Sequence, residues 1–85
     1  MTKLEQKLIE LGYEIENTVW TYKQARKEYM KCWIYIEFNK EKYGNNITFK
    51  CVKPIFCIKS QQDIDNLQQA YNQLQKDLEM LKDVK

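Results

Sequence analysis

Histidine is missing from the 85 residues altogether, and glycine and proline nearly so, at 2 and 1. Without an imidazole the chain lacks the commonest general base, the usual partner of Ser and Cys nucleophiles, and the most used zinc ligand. Gly12 and Gly44 stand 32 residues apart, so no phosphate-cradling loop can form between them. Cysteine is sparse and odd in number: Cys32, Cys51 and Cys57, at gaps of 19 and 6 residues, make neither a four-thiolate metal site nor a disulfide framework. Each lies in an apolar run and reads as a reduced packing residue. No apolar stretch reaches the roughly 18 residues of a membrane-spanning helix, and Met1 to Lys7 interrupts every apolar pair with charge, so no secretory core is expected. These absences remove most enzymatic routes. They leave the expectation of a non-catalytic cytoplasmic protein without metal or cofactor.

What is present fits one globular domain spanning residues 1–85, with 44% hydrophobic, 31% charged and 13% aromatic residues. The net charge of +2 is unevenly spread: residues 1–28 sum to zero, 29–59 to +4 and 60–85 to −2. That excess is small for a nucleic-acid binder and of the wrong sign for an imitator of DNA.

The pattern predicts an α+β fold: a short N-terminal helix, a three-stranded antiparallel sheet and a long C-terminal helix, αβββα in two layers. Thr2 with Glu5 reads as an N-cap, Leu4, Leu8 and Leu11 share a helical face, and Gly12 ends the element. From Val19 to Ile58 the residues become β-branched and aromatic with period-two alternation, broken at Ala25 to Glu28 and again at Lys40 to Asn46. The middle strand, Tyr29 to Phe38, turns Met30, Cys32, Ile34, Ile36 and Phe38 to one side and Lys31, Trp33, Tyr35 and Glu37 to the other. A turn at Gly44-Asn45-Asn46 predicts Phe38 opposite Ile47, Ile36 opposite Phe49 and Ile34 opposite Cys51, with Pro54 marking an edge or a bulge. Glu14 and Glu16, like Asp63 and Asp65, read as acids at turns and helix starts.

The last element, Gln61 to Asp83, opens on a capping-box pair, Ser60 and Asp63. It carries Ile64, Leu67, Tyr71, Leu74, Leu78 and Leu81 at spacings of 3 and 4. Packing of this stripe on the sheet is the favoured reading. The alternative is a dimer seam through Leu67, Tyr71, Leu74 and Leu78, with Asp77 and Lys82 placed to pair between copies.

If the even positions of the middle strand are buried, its odd positions face away. A first turn at Arg26-Lys27 would then set Trp20 opposite Trp33, Tyr22 opposite Lys31 and Lys50 opposite Tyr35, with Val19 entering the core beside Ile34. Trp20, Tyr22, Trp33 and Tyr35 with Lys31 and Lys50 form the candidate partner-binding face, since contiguous aromatic surface marks interaction sites and hot spots. A protein partner is the first expectation. A single-stranded nucleic acid stacking on the rings, or a second copy of the chain, are the alternatives.

Three segments carry a family resemblance: Leu-Ile-Glu-Leu-Gly-Tyr at 8–13, Trp-Ile-Tyr-Ile-Glu-Phe at 33–38, and Gln-Asp-Ile-Asp-Asn-Leu-Gln-Gln-Ala-Tyr at 62–71. Together they resemble small αβββα proteins encoded by phages and prophages of low-GC Gram-positive bacteria, and the Lys-, Asn-, Ile- and Tyr-rich composition agrees. The resemblance implies a class that binds and blocks host defence proteins, CRISPR nucleases among them, in the host cytoplasm. It names neither target nor contact residues.

Overall fold

The computed structural model describes residues 2–19, 22–39, 47–82 and 84, with residues 17–19 followed along the backbone alone. The elements are α1 (Lys3–Glu10), β1 (Glu14–Val19), β2 (Tyr22–Tyr29), β3 (Cys32–Asn39), β4 (Ile47–Pro54) and α2 (Gln61–Leu81). The fold is α+β, as expected, but the antiparallel sheet has four strands in the order β1-β2-β3-β4 where three were predicted.

Thr2 caps α1 by accepting the Glu5 N–H at 3.1 Å. Gly12 ends it at φ 97, a left-handed conformation open to glycine, while the Tyr13 N–H reaches back to the Leu8 carbonyl at 3.0 Å. This tight exit sends the chain directly into β1. Glu14 and Glu16 therefore lie in a strand, not at a turn.

The first predicted turn is also corrected. Arg26 and Lys27 are interior to β2, and the chain reverses at Met30 and Lys31, which have φ 51 and 60. Two successive left-handed residues make the turn type that matches strand twist, although neither residue favours it. Tyr29 then pairs with Cys32 and Ala25 with Ile36. Between β3 and β4, Phe38 faces Ile47 as predicted, and then the register shifts. Glu37 meets Phe49, Ile36 meets Lys50, Tyr35 meets Cys51 and Ile34 meets Val52. Thr48 is the extra residue, its hydroxyl 3.3 Å from the Glu37 carbonyl. The bulge lets Ile47 and Val52 face the same side despite their odd separation, and it moves Phe49 and Cys51 to the opposite one.

Both helices cover one face, α1 on β1 and α2 on β3 and β4, and they touch each other. Leu4, Leu8, Tyr13, Ala25, Ile34, Ile36, Phe38, Val52, Ala70, Leu74 and Leu81 form a single buried cluster beneath them. The capping box of α2 is formed: the Ser60 hydroxyl accepts the Asp63 N–H at 3.3 Å, and Asp63 accepts the Ser60 N–H at 3.2 Å.

The helix is rotated from its apolar stripe. Asn66, Ala70 and Asp77 are buried, whereas Ile64 and Tyr71 are 48% and 44% exposed. Asp77 is fully partnered in this rotation. Its Oδ2 lies 2.6 Å from Lys27 Nζ and accepts the Tyr13 hydroxyl at 2.7 Å, and its Oδ1 accepts from Gln73 at 2.9 Å. A carboxylate this deep must meet a cation and donors, and Lys27, Tyr13 and Gln73 supply them.

Candidate functional site

The hairpin β2–β3 places alternate side chains on the face that neither helix covers. Tyr22, Gln24, Arg26 and Glu28 come from β2, and Trp33, Tyr35 and Glu37 from β3. β1 adds Glu14 and Glu16 beside Arg26 and Gln24, and β4 adds Phe49, Cys51 and Lys53. The register assigns these residues rigidly, because each pairs across a continuous ladder.

Trp33 and Tyr35 lie half-buried side by side, ring centroids 6.4 Å apart at 37°. The Arg26 guanidinium stands over the indole at 5.3 Å and is held by Glu16 at 2.8 Å and Glu14 at 3.9 Å. Its stacking on the ring fixes the indole edge without hiding it under a helix. Next to the pair a shallow groove of about 310 Å³ is lined by Gln24, Tyr35, Phe49, Cys51 and Lys53. Phe49 is 50% exposed at its margin. Burial pushes the Cys51 thiol up, with Lys53 opposing and Glu37 adding to the shift, so the groove holds a protonated thiol and not an activated nucleophile.

The chain matches no protein-family model, no curated protein and no solved structure.

Of the predicted face, Trp33, Tyr35 and Tyr22 stand on the uncovered side as expected. Tyr22 is opposite Asn39, not Lys31, because the turn lies four residues later than predicted. Lys31 is displaced into that turn. Lys50 is on the helix-bearing side, opposite Ile36, because of the Thr48 bulge. Trp20, the turn at Gly44-Asn45-Asn46 and the contribution of Val19 to the core lie outside the described side chains.

The cysteines also separate: Cys32 is buried, Cys51 half-buried and Cys57 exposed, so packing describes only the first. The alternative dimer seam is largely spent within the molecule, since Leu74 is buried and Leu67 and Leu78 pack against the core, leaving Tyr71 exposed.

The face also holds Arg26, Phe49 and Lys53, which the sequence pattern does not single out. Unbroken alternation of β2 through to Tyr29 is the signal that places Arg26. Phe49 and Lys53 depend on the bulge, which no local residue signals.

The electrostatics of the face differ from expectation. Among the described residues it carries four carboxylates, Glu14, Glu16, Glu28 and Glu37, against two cations, Arg26 and Lys53. Also among the described residues, no group of three His, Cys, Asp or Glu is placed to hold a metal ion, and no helix is long and apolar enough to cross a membrane.

Proposed function

We propose that this chain is a non-catalytic binding protein that docks on a protein partner through the open face of its sheet. Trp33 and Tyr35 are the anchors, with Phe49 and Arg26 at their margins. The observation that carries this reading is the pair of large rings on a face that no described element covers, laid out on a rigid four-stranded ladder. Such rings supply contact area at low entropic cost and dominate binding hot spots. The resemblance to small phage-encoded proteins extends the proposal: the partner is a host defence protein, blocked sterically and stoichiometrically.

The charge balance speaks against the nucleic-acid alternative. Counted over the described residues, the face sets four carboxylates against two cations, a balance that repels a strand of phosphates, where single-strand platforms need a positive groove.

Trp33→Ala and Tyr35→Ala test the proposal. Both variants should keep the far-ultraviolet dichroism of the parent and lose a nuclease-resistant complex isolated from host lysate. A gel shift with single-stranded DNA that weakens steeply with salt would point to the nucleic-acid reading instead. A doubled mass by light scattering that Trp33→Ala halves would point to a homodimer.

A further inference from the structure

The open face leaves edge strand β4 unexplained. The Ile55 N–H bonds to the Lys31 carbonyl at 3.0 Å, so at that position the β4 backbone points toward β3. Direction alternates along a strand, so Lys53 and Cys51 also point their N–H and C=O toward β3, while Pro54, Val52 and Lys50 point outward. Pro54 has no N–H to leave unpaired at this edge. Lys50 and Val52 retain theirs, forming a short template for one more strand. Lys50 flanks that template on the helix-bearing side and Lys53 on the open side, both exposed. Among the described residues neither has a carboxylate at ion-pair distance, in contrast to Lys23, Arg26 and Lys27.

We propose that this edge receives an extended acidic segment of a protein partner, added as a fifth strand. The spacing specifies its chemistry. Residues opposite Lys50 and Lys53 are three apart in the added strand; of the two between them, one meets Cys51, in the groove beside Phe49, and the other borders Val52, which is packed in the core at 7% exposure and offers its backbone at the rim. The complement is therefore an acid, two apolar residues and a second acid. Backbone bonds would supply affinity, and the alternating side chains register. A second copy fits badly: antiparallel β4–β4 pairing would gather Lys50 and Lys53 of both chains on one seam, and the Thr48 bulge bends the edge. The features that admit an acidic strand thus reject the molecule's own.

This inference rests on the protein-binding reading but uses other residues. The test is an amide nitrogen–proton spectrum of the full chain titrated to millimolar with the blocked hexapeptide Ser-Glu-Val-Val-Glu-Ser, and separately with lysine in both acidic positions. The expected result is shifts and slowed hydrogen exchange at Lys50 and Val52 with the acidic peptide only. Lys50→Glu with Lys53→Glu should weaken that binding by about tenfold or more and admit the lysine peptide, whereas Lys76→Glu on α2 should leave it unchanged. Equal binding of both peptides, shifts confined to Trp33 and Tyr35, no shift at millimolar peptide, or self-association of the chain through β4 would each overturn the inference. If the edge stays silent while Trp33→Ala still abolishes the host complex, this inference alone fails. If the edge binds while Trp33 proves inert, the open-face reading alone fails.

Discussion

Lys27 of β2 and Asp77 of α2 hold each other at 2.6 Å beneath the helices, with side chains 12% and 2% exposed. The same ammonium donates to the Leu11 carbonyl at 2.9 Å and lies 4.5 Å from the Tyr13 ring centre. One cation therefore ties the α1 exit, the sheet and α2 together. Removing one member of a buried pair strands the other, at about 3–5 kcal/mol. Asp77→Ala should cost that much in urea unfolding. Lys27→Met combined with Asp77→Leu should cost less than Asp77→Ala, because no charge is then left without a partner.

Tyr13 gives the cluster a pH signature. Burial, then the hydrogen bond to Asp77 and that group's charge, push its phenol well above the ordinary value. The unfolded chain therefore loses the Tyr13 proton near pH 10, while the folded protein keeps it. The contribution is complete below about pH 10, and stability falls above that by up to about 1.4 kcal/mol per pH unit. Tyr13→Phe should be less stable at neutral pH and show a correspondingly flatter alkaline slope, measured as the difference between the two proteins' melting free energies.

The Met30–Lys31 turn is a site for stabilisation. Both residues occupy left-handed backbone, which costs an ordinary side chain about 1–2 kcal/mol each. Met30→Asn with Lys31→Gly supplies the pair this turn favours. After the added entropy of glycine in the unfolded chain, a net gain of about 1 kcal/mol in urea unfolding is expected, with an unchanged denaturant slope.

The thiols should react in the order of their exposure. Cys57 is exposed, Cys51 half-buried with its thiol pushed up by burial, and Cys32 buried and likewise pushed up. A neutral disulfide reagent should modify Cys57 first and Cys51 slowly. Cys32 should react only at the rate of global unfolding.

How far these features could be read from the chain depends on whether their cause was local. The Thr2 cap, the Gly12 exit, the alternation of β3 and the Ser60–Asp63 box are short-range, and each is found where expected. β2 is hidden in the sequence because two of its inward positions are lysines. Lys23 pairs with the buried Glu5 at 3.0 Å and Lys27 with Asp77, so the core-facing side looks polar until its partners are known. β1 is hidden for a related reason, its Glu14 and Glu16 being surface acids that look like turn residues. The hairpin tip carries no glycine or asparagine to announce it. The candidate face follows the same division: Trp33 and Tyr35 take the expected side because the alternation of β3 is unbroken, whereas Lys31 and Lys50 move with the turn and the bulge. The Asp77 rotation could not be seen either, since leucine spacing alone favours Leu67, Tyr71 and Leu78 over a stripe centred on an acid.

The supernumerary residue in β4 also marks where the strand can be shortened. Phe38 faces Ile47 and Glu37 faces Phe49, so Ile47 and Phe49 alternate as if they were neighbours and Thr48 alone stands outside the pleat. Removing Thr48 would join the two directly, leave every other side chain from Ile47 to Pro54 on the face it now occupies, and replace the kink by a regular ladder.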